Sequence, residues 1–214
     1  MIKHEWRKHE KSTYLPKSKP DVIDLPAFNF ITLRGQCNPS SELFAEHVGA
    51  LYSLAYGLKM GLKKSDVKPE GYSDFTVYPL EGVWDITDEA KMTFTGKINK
   101  DDLLYTLMIR QPDFIDETLF NVVRDQVQAS KPSKYLSAIL FERIEEGRCV
   151  QMLHSGPFEN EPASFALMER FAESEGFSRK SKMHREIYLT DTRRVSPEKY
   201  KTVLRFSVEP HSIA

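Results

Sequence analysis

His184-Arg185-Glu186-Ile187-Tyr188-Leu189 is the stretch on which the reading of this chain turns. Taken as a strand, its side chains alternate, so His184, Glu186 and Tyr188 share one face while Ile187 and Leu189 take the other. The second face is apolar and is expected to pack on a helix. The first sets an imidazole, a carboxylate and a phenol in a row, in a segment too hydrophobic for a loop. A carboxylate on a sheet face is either partnered or placed to meet something cationic or reactive. Function is therefore sought along that row.

Upstream, Ser137 to Ile144 predicts a strand, Glu145-Glu146-Gly147 a turn, and Val150 to His154 its hairpin partner. Gly156-Pro157 breaks the chain, and Glu161-Pro162 opens a helix with proline in a tolerated first-turn position. That helix buries a stripe of Phe165, Met168 and Phe171. Downstream, Pro197 precedes a last strand, Val203 to Val208. The first half reads in the same order. Phe28 to Leu33 is a strand closed by Gly35, and Ser40 or Ser41 caps a helix with Phe44, Val48, Leu51, Ala55 and Leu58 at helical spacing. Tyr52 and Tyr56 meet on an adjoining face of it. Phe75 to Trp84 and Leu103 to Ile109 are strand-like, with a shorter strand expected over Met92 to Ile98. Pro112 stops the third, and Asp113 or Asp116 opens a helix through Leu119, Val122, Val123 and Val127.

Both halves thus run strand, helix, strand, strand. The expected class is α+β: two such modules with pseudo-two-fold symmetry, an antiparallel sheet with helices on one face, and a ligand groove between the modules. Residues 1–25, rich in lysine and broken by Pro16 and Pro20, are expected to be an extended arm anchored by Trp6 and Tyr14. The domain occupies 26–208, module one about 26–130 and module two about 131–208, and 209–214 is a tail.

The 214 residues are enough for a sizeable core, and 40 % hydrophobic with 29 % charged residues is ordinary for a soluble protein. Thirty Lys and Arg against 31 Asp and Glu leave a net charge of −1, which offers no bulk attraction for nucleic acid or anionic lipid. Cys37 and Cys149 stand in no metal or redox spacing, so reduced thiols in a cytoplasm are expected. The start of the chain lacks the apolar run of a signal peptide, and no stretch is long enough to span a bilayer. Dinucleotide, phosphate-loop and serine-elbow glycine patterns are absent, and the six histidines form no zinc pair. No cofactor and no metal are implied. Any chemistry here is acid–base or electrostatic.

Several segments, in order, carry a family resemblance: Leu80-Glu81-Gly82-Val83-Trp84; Glu146 through Phe158 with Glu161-Pro162; His184 to Leu189 with Thr190-Asp191-Thr192-Arg193-Arg194; and Lys201-Thr202-Val203-Leu204-Arg205. Together, from about Tyr14 to Val208, they resemble the GyrI-like small-molecule-binding proteins in their stand-alone form. The resemblance implies a pair of strand–helix–strand–strand modules, a fold shared with SOUL-like proteins. It also implies a ligand groove with aromatic walls beside a buried acid. Relatives serve as effector domains of multidrug-responsive regulators that bind flat, often cationic aromatic drugs. One subfamily, the cyclopropanoid cyclopropyl hydrolases, opens the cyclopropane ring of DNA-alkylating natural products. The chain departs from many relatives at Asp85, where they carry a second tryptophan, and at Arg185, where they often carry a histidine.

Carried over by residue, Glu186 matches the acidic position, Tyr188 its aromatic neighbour and Trp84 an aromatic position; His154 and Phe158 lie in the second-module hairpin and loop. Tyr78 answers Tyr188 in the first module, and Tyr52 and Tyr56 complete the aromatic candidates. The first expected function is binding of flat, often cationic aromatic xenobiotics, for cellular protection, with stacking and cation–π contacts supplying affinity. The alternative is cyclopropane hydrolysis in the same groove, with Glu186 handling the attacking water and Tyr188 or His154 donating to the oxygen on which charge develops. An effector-sensing or gyrase-interacting role is a further option. The implied partner is a small aromatic molecule, without nucleic acid or membrane. Against these stand plainer readings: Glu186 paired with Arg185, Arg193 or Arg205; His154 as a hydrogen-bonded core histidine; Trp84 as core; and Tyr52 and Tyr56 as helix packing.

Overall fold

Strand alternation and helical stripes become, in the computed structural model, an antiparallel sheet with helices; residues 3–96 and 98–211 are described below. In chain order the elements are α1 (Trp6–His9), α2 (Lys11–Tyr14), β1 (Asp21–Gln36), α3 (Glu42–Lys64), β2 (Leu80–Ile86) and α4 (Asp88–Met92). There follow β3 (Leu103–Gln111), α5 (Glu117–Ser130), β4 (Leu140–Ser155), α6 (Glu161–Ser174), β5 (Phe177–Arg179), β6 (His184–Tyr188) and β7 (Lys201–Pro210). The chain forms two compact units. One holds residues 3–5, Phe28–Leu80 and Asp85–Ile144; the other holds Trp6–Ala27, Glu81–Trp84 and residues 145–211.

In the first unit β1 pairs antiparallel with β3, Ile31 opposite Ile109 and Leu33 opposite Leu107. Ser41 caps α3 by accepting from the Phe44 N–H, and Asp116 caps α5 by accepting from the Leu119 N–H. These caps fix where the helices start, each worth roughly 1 kcal/mol. α3 then buries Leu51, Leu54 and Leu58 completely, and α5 contributes Phe120, Val123 and Val127. Each fully buried side chain of this size contributes about 1.5–3 kcal/mol.

The second unit is built on β2, β6, β7 and the later part of β4. β2 pairs with β6 (Gly82 opposite Glu186), β6 with β7 (Glu186 opposite Leu204), and β4 with β7 (Met152 opposite Leu204). One sheet face presents Val150, Met152, Leu204, Phe206 and Val208 to Met168 and Ala172 of α6, with Phe165 and Phe171 packed against them. The opposite face carries Gln151, Arg185 and Arg205, all buried. There Arg185 Nη1 donates to Glu81 at 2.7 Å, Arg205 Nη1 donates to Glu146 at 2.8 Å, and Arg185 Nε lies 3.1 Å from Glu146. Arg205 also donates to the Thr13 carbonyl and Gln151 to that of Ser12, which ties α2 down on this face.

Four expectations change. Residues 6–14 form two short helices whose Trp6 and Tyr14 are buried, instead of an extended arm, because carbonyls at the end of α2 meet buried donors on the sheet. The hairpin around Gly147 is a single strand, β4. Gly147 takes φ 65°, a left-handed value suited to glycine, but within a continuous strand and not in a turn. Met92 to Ile98 yields no strand among its described residues, Lys97 lying outside them. Thr87 instead accepts from the Ala90 N–H and starts the short helix α4. The tail expected at 209–214 begins as strand to Pro210, and residues 212–214 lie outside those described.

Candidate functional site

The alternation read from sequence holds: His184, Glu186 and Tyr188 line one face of β6. Tyr188 Oη donates to Glu186 Oε2 at 2.8 Å, and His184 Nε2 stands 3.1 Å from Glu186 Oε1. Trp84 joins them from the other half of the sequence, because β2 is the neighbour of β6. Its Nε1–H donates to Tyr188 Oη at 2.8 Å. Indole nitrogen is only a donor, so the tyrosine oxygen accepts and its own proton is directed to Glu186. The Trp84–Tyr188–Glu186 chain therefore has a fixed sense.

Rings enclose it. Phe158, in a 3₁₀ turn before α6, meets Tyr188 edge-on at 6.1 Å between centroids and Tyr200 at 5.3 Å. Phe165 of α6 meets His184 edge-on at 4.7 Å. The Glu186 side chain keeps only 11 % of its surface exposed and His184 22 %.

α6 brings a second carboxyl. Glu161, in its first turn, is 7 % exposed, has an Oε1 with no hydrogen-bond donor, and lies near enough to Glu186 to feel its charge. Burial first, and the nearby Glu186 charge second, push the Glu161 carboxyl up to about 9. A carboxyl raised that far keeps its proton at neutral pH. Glu186 has the Tyr188 hydroxyl and the His184 ring beside it, whereas Glu161 Oε1 has no donor. Tyr188, desolvated and facing Glu186, is raised well above the usual phenol range and stays protonated.

His154 is buried at 4 % exposure with both ring nitrogens engaged: Nε2 at 3.1 Å from the Pro157 carbonyl and Nδ1 at 2.9 Å from Ser164 Oγ. The carbonyl can only accept, so Nε2 donates and Nδ1 is left to the serine hydroxyl. These bonds join β4 to the turn that carries Phe158 and to α6. Tyr78, Tyr52 and Tyr56 belong to the first unit. There Tyr78 is buried at 4.8 Å from the Arg110 guanidinium, while Tyr52 and Tyr56 neighbour each other on α3 at 6.3 Å. The arginines considered as Glu186 partners pair elsewhere: Arg185 with Glu81 and Glu146, Arg205 with Glu146, Arg193 with Asp191. No group of three or more His, Cys, Asp or Glu able to hold a metal occurs among the described residues, and no described helix is long and apolar enough to cross a membrane.

The sequence reading missed Glu161. An acid in a first helical turn ordinarily offsets the helix dipole in water, and nothing in Glu159-Asn160-Glu161 distinguishes the buried acid from the exposed one.

Among curated proteins none matches this chain. Among solved structures, a hydrolase from Listeria innocua is 38 % identical with TM-score 0.85, spanning 96 % of this chain and all of its own. Another described as a hydrolase from the same organism is 38 % identical with TM-score 0.87, spanning 97 % of this chain and all of its own. The C-terminal domain of EcmrR shares the fold at 13 % identity and TM-score 0.51, over 90 % of this chain and 98 % of that one. The model of the GyrI-like small-molecule-binding domain matches residues 18–209, and the chain belongs to that family.

Proposed function

We propose that this protein is a hydrolase that binds flat aromatic molecules carrying a strained, electrophilic ring and opens that ring with water. The observation that carries the proposal is the Glu161–Glu186 pair, two buried carboxyls beside Trp84, Tyr188, His184 and Phe158, of which Glu161 is pushed up by burial and by its neighbour. A site for stacking alone has no need of a carboxyl held protonated at neutral pH. A site for adding water across a bond needs both a base and an acid. The two Listeria innocua relatives, each described as a hydrolase, support the same class.

For a cyclopropane conjugated to a carbonyl, the balance is simple. Water oxygen bonds to a ring carbon as the carbon–carbon bond breaks, and the released pair runs to the carbonyl oxygen. Glu186 takes the proton that the water loses, and the proton of the pair is available to the new oxyanion through Glu161. Tyr188 holds Glu186 in place through its own hydroxyl, and Trp84 and Phe158 offer ring faces to a planar substrate. His154 acts at one remove, by fixing the turn that carries Phe158. The net negative charge of the pair favours cationic ligands over anionic ones. Proton transfer of this kind supplies about 10²–10⁴-fold, which suits a substrate already strained.

A second reading, protective binding of flat cationic aromatics without turnover, is favoured by the ring cluster itself. One experiment separates them. The protein is incubated with a cyclopropane-bearing DNA alkylator in isotopically labelled water, and products are followed by mass spectrometry. Hydrolysis predicts a labelled ring-opened adduct whose formation is lost in Glu186→Gln. Retained binding with no adduct rejects the enzyme and leaves the binder.

A further inference from the structure

We infer that Gly82 is a positioning residue: its missing side chain is what lets the Trp84 indole lie back across β2 and orient the proton chain that ends on Glu186. Gly82 and Trp84 are two apart on one strand and share a face. Gly82 is buried directly opposite Glu186 in the β2–β6 register. A Cβ built on Gly82 would stand 2.9 Å from Trp84 Nε1, 3.3 Å from Trp84 Cε2 and 3.3 Å from Tyr188 Oη. The first distance is one that real Cβ atoms do not keep, and an indole is rigid, so any larger residue moves the ring. The atom displaced first is the nitrogen that donates to Tyr188.

The consequence follows from donor sense. With the indole N–H in place, the Tyr188 oxygen is occupied as an acceptor and its proton has one outlet, Glu186 Oε2. That bond fixes the orientation of the Glu186 carboxyl, the group whose charge acts on Glu161. Without the indole N–H, the hydroxyl is free to turn away and Glu186 loses the contact that orients it. Gly82 thus acts through Trp84 and Tyr188 on the orientation of Glu186, without touching substrate. The effect on turnover rests on the hydrolase reading; the effect on Trp84 and on the carboxyl pair does not.

The test compares Gly82→Ala, Trp84→Phe and the double variant. Trp84→Phe identifies the Trp84 indole N–H resonance by its disappearance from the proton NMR spectrum. In Gly82→Ala that resonance is expected to shift markedly, the titration of the carboxyl pair to move from its wild-type midpoint, and turnover to fall roughly 10- to 100-fold, the range for losing a hydrogen bond to a charged group. In the Trp84→Phe background, Ala at position 82 meets no indole nitrogen and is expected to add little. If Gly82→Ala does not fold but the double variant does, the clash through Trp84 is upheld. An unmoved indole resonance with an unchanged carboxyl titration overturns the inference, as does unfolding of both variants. Absence of turnover in the wild-type protein would sink the hydrolase reading while the two spectroscopic results still decide the role of Gly82.

Discussion

Glu161→Gln should change how stability depends on pH. In the folded protein the Glu161 carboxyl keeps its proton up to about 9, whereas in the unfolded chain it loses it near the ordinary value of 4.5. Between those values the unfolded state binds fewer protons than the native state, so unfolding becomes easier as pH rises. The stability is complete below the unfolded pKa and is lost as pH climbs through the folded one. One proton corresponds to at most about 1.4 kcal/mol per pH unit, hence roughly 2–3 kcal/mol between pH 6 and pH 8. For a chain of this size that is a fall in Tm of roughly 4–12 °C. Glutamine copies the protonated acid in shape and has no proton to lose, so the variant should lack this fall and be the more stable protein at pH 8. His47, which burial holds below its usual value, contributes an opposite trend at lower pH, but equally in both proteins, so the difference between the two curves isolates Glu161. Urea melts at several pH values would measure it. Parallel curves for the two proteins would refute the protonated pair.

Other outcomes follow from the same structure. Glu186→Gln should fold normally, judged by its melting curve, yet slow ring opening by roughly 10²–10⁴-fold in a product assay. Arg185→Met strips Glu81 and Glu146 of a buried cation and should cost about 3–5 kcal/mol in chemical denaturation. Met168→Ala opens the core under α6 and should cost roughly 2–5 kcal/mol by the same measurement. Gly147→Ala places a Cβ at φ 65° and should cost about 1–2 kcal/mol.

Much of the fold was legible because it rests on periodicity and caps. The two-residue alternation of His184-Glu186-Tyr188 survives intact, as do the caps at Ser41 and Asp116. Continuity was harder to read. Glu145-Glu146-Gly147 has turn chemistry, but Glu146 is held by Arg185 and Arg205 from strands distant in sequence, and that pairing keeps β4 unbroken. The burial of Arg185 on a face that reads as apolar has the same cause. Trp84 and Glu186 were found by motif and alternation, whereas their meeting depends on β2 lying beside β6. Glu161 was illegible because its protonation comes from burial against another carboxyl, a property of packing that no local pattern encodes.

The most direct measurement is a carboxyl titration by NMR on protein with isotope-labelled glutamate side chains. The carboxyl carbon whose signal vanishes in Glu161→Gln should titrate near pH 9, and it should move in Tyr188→Phe. If that carbon has titrated by about pH 6, Glu161 holds no proton at neutral pH, and the acid–base site described here does not exist.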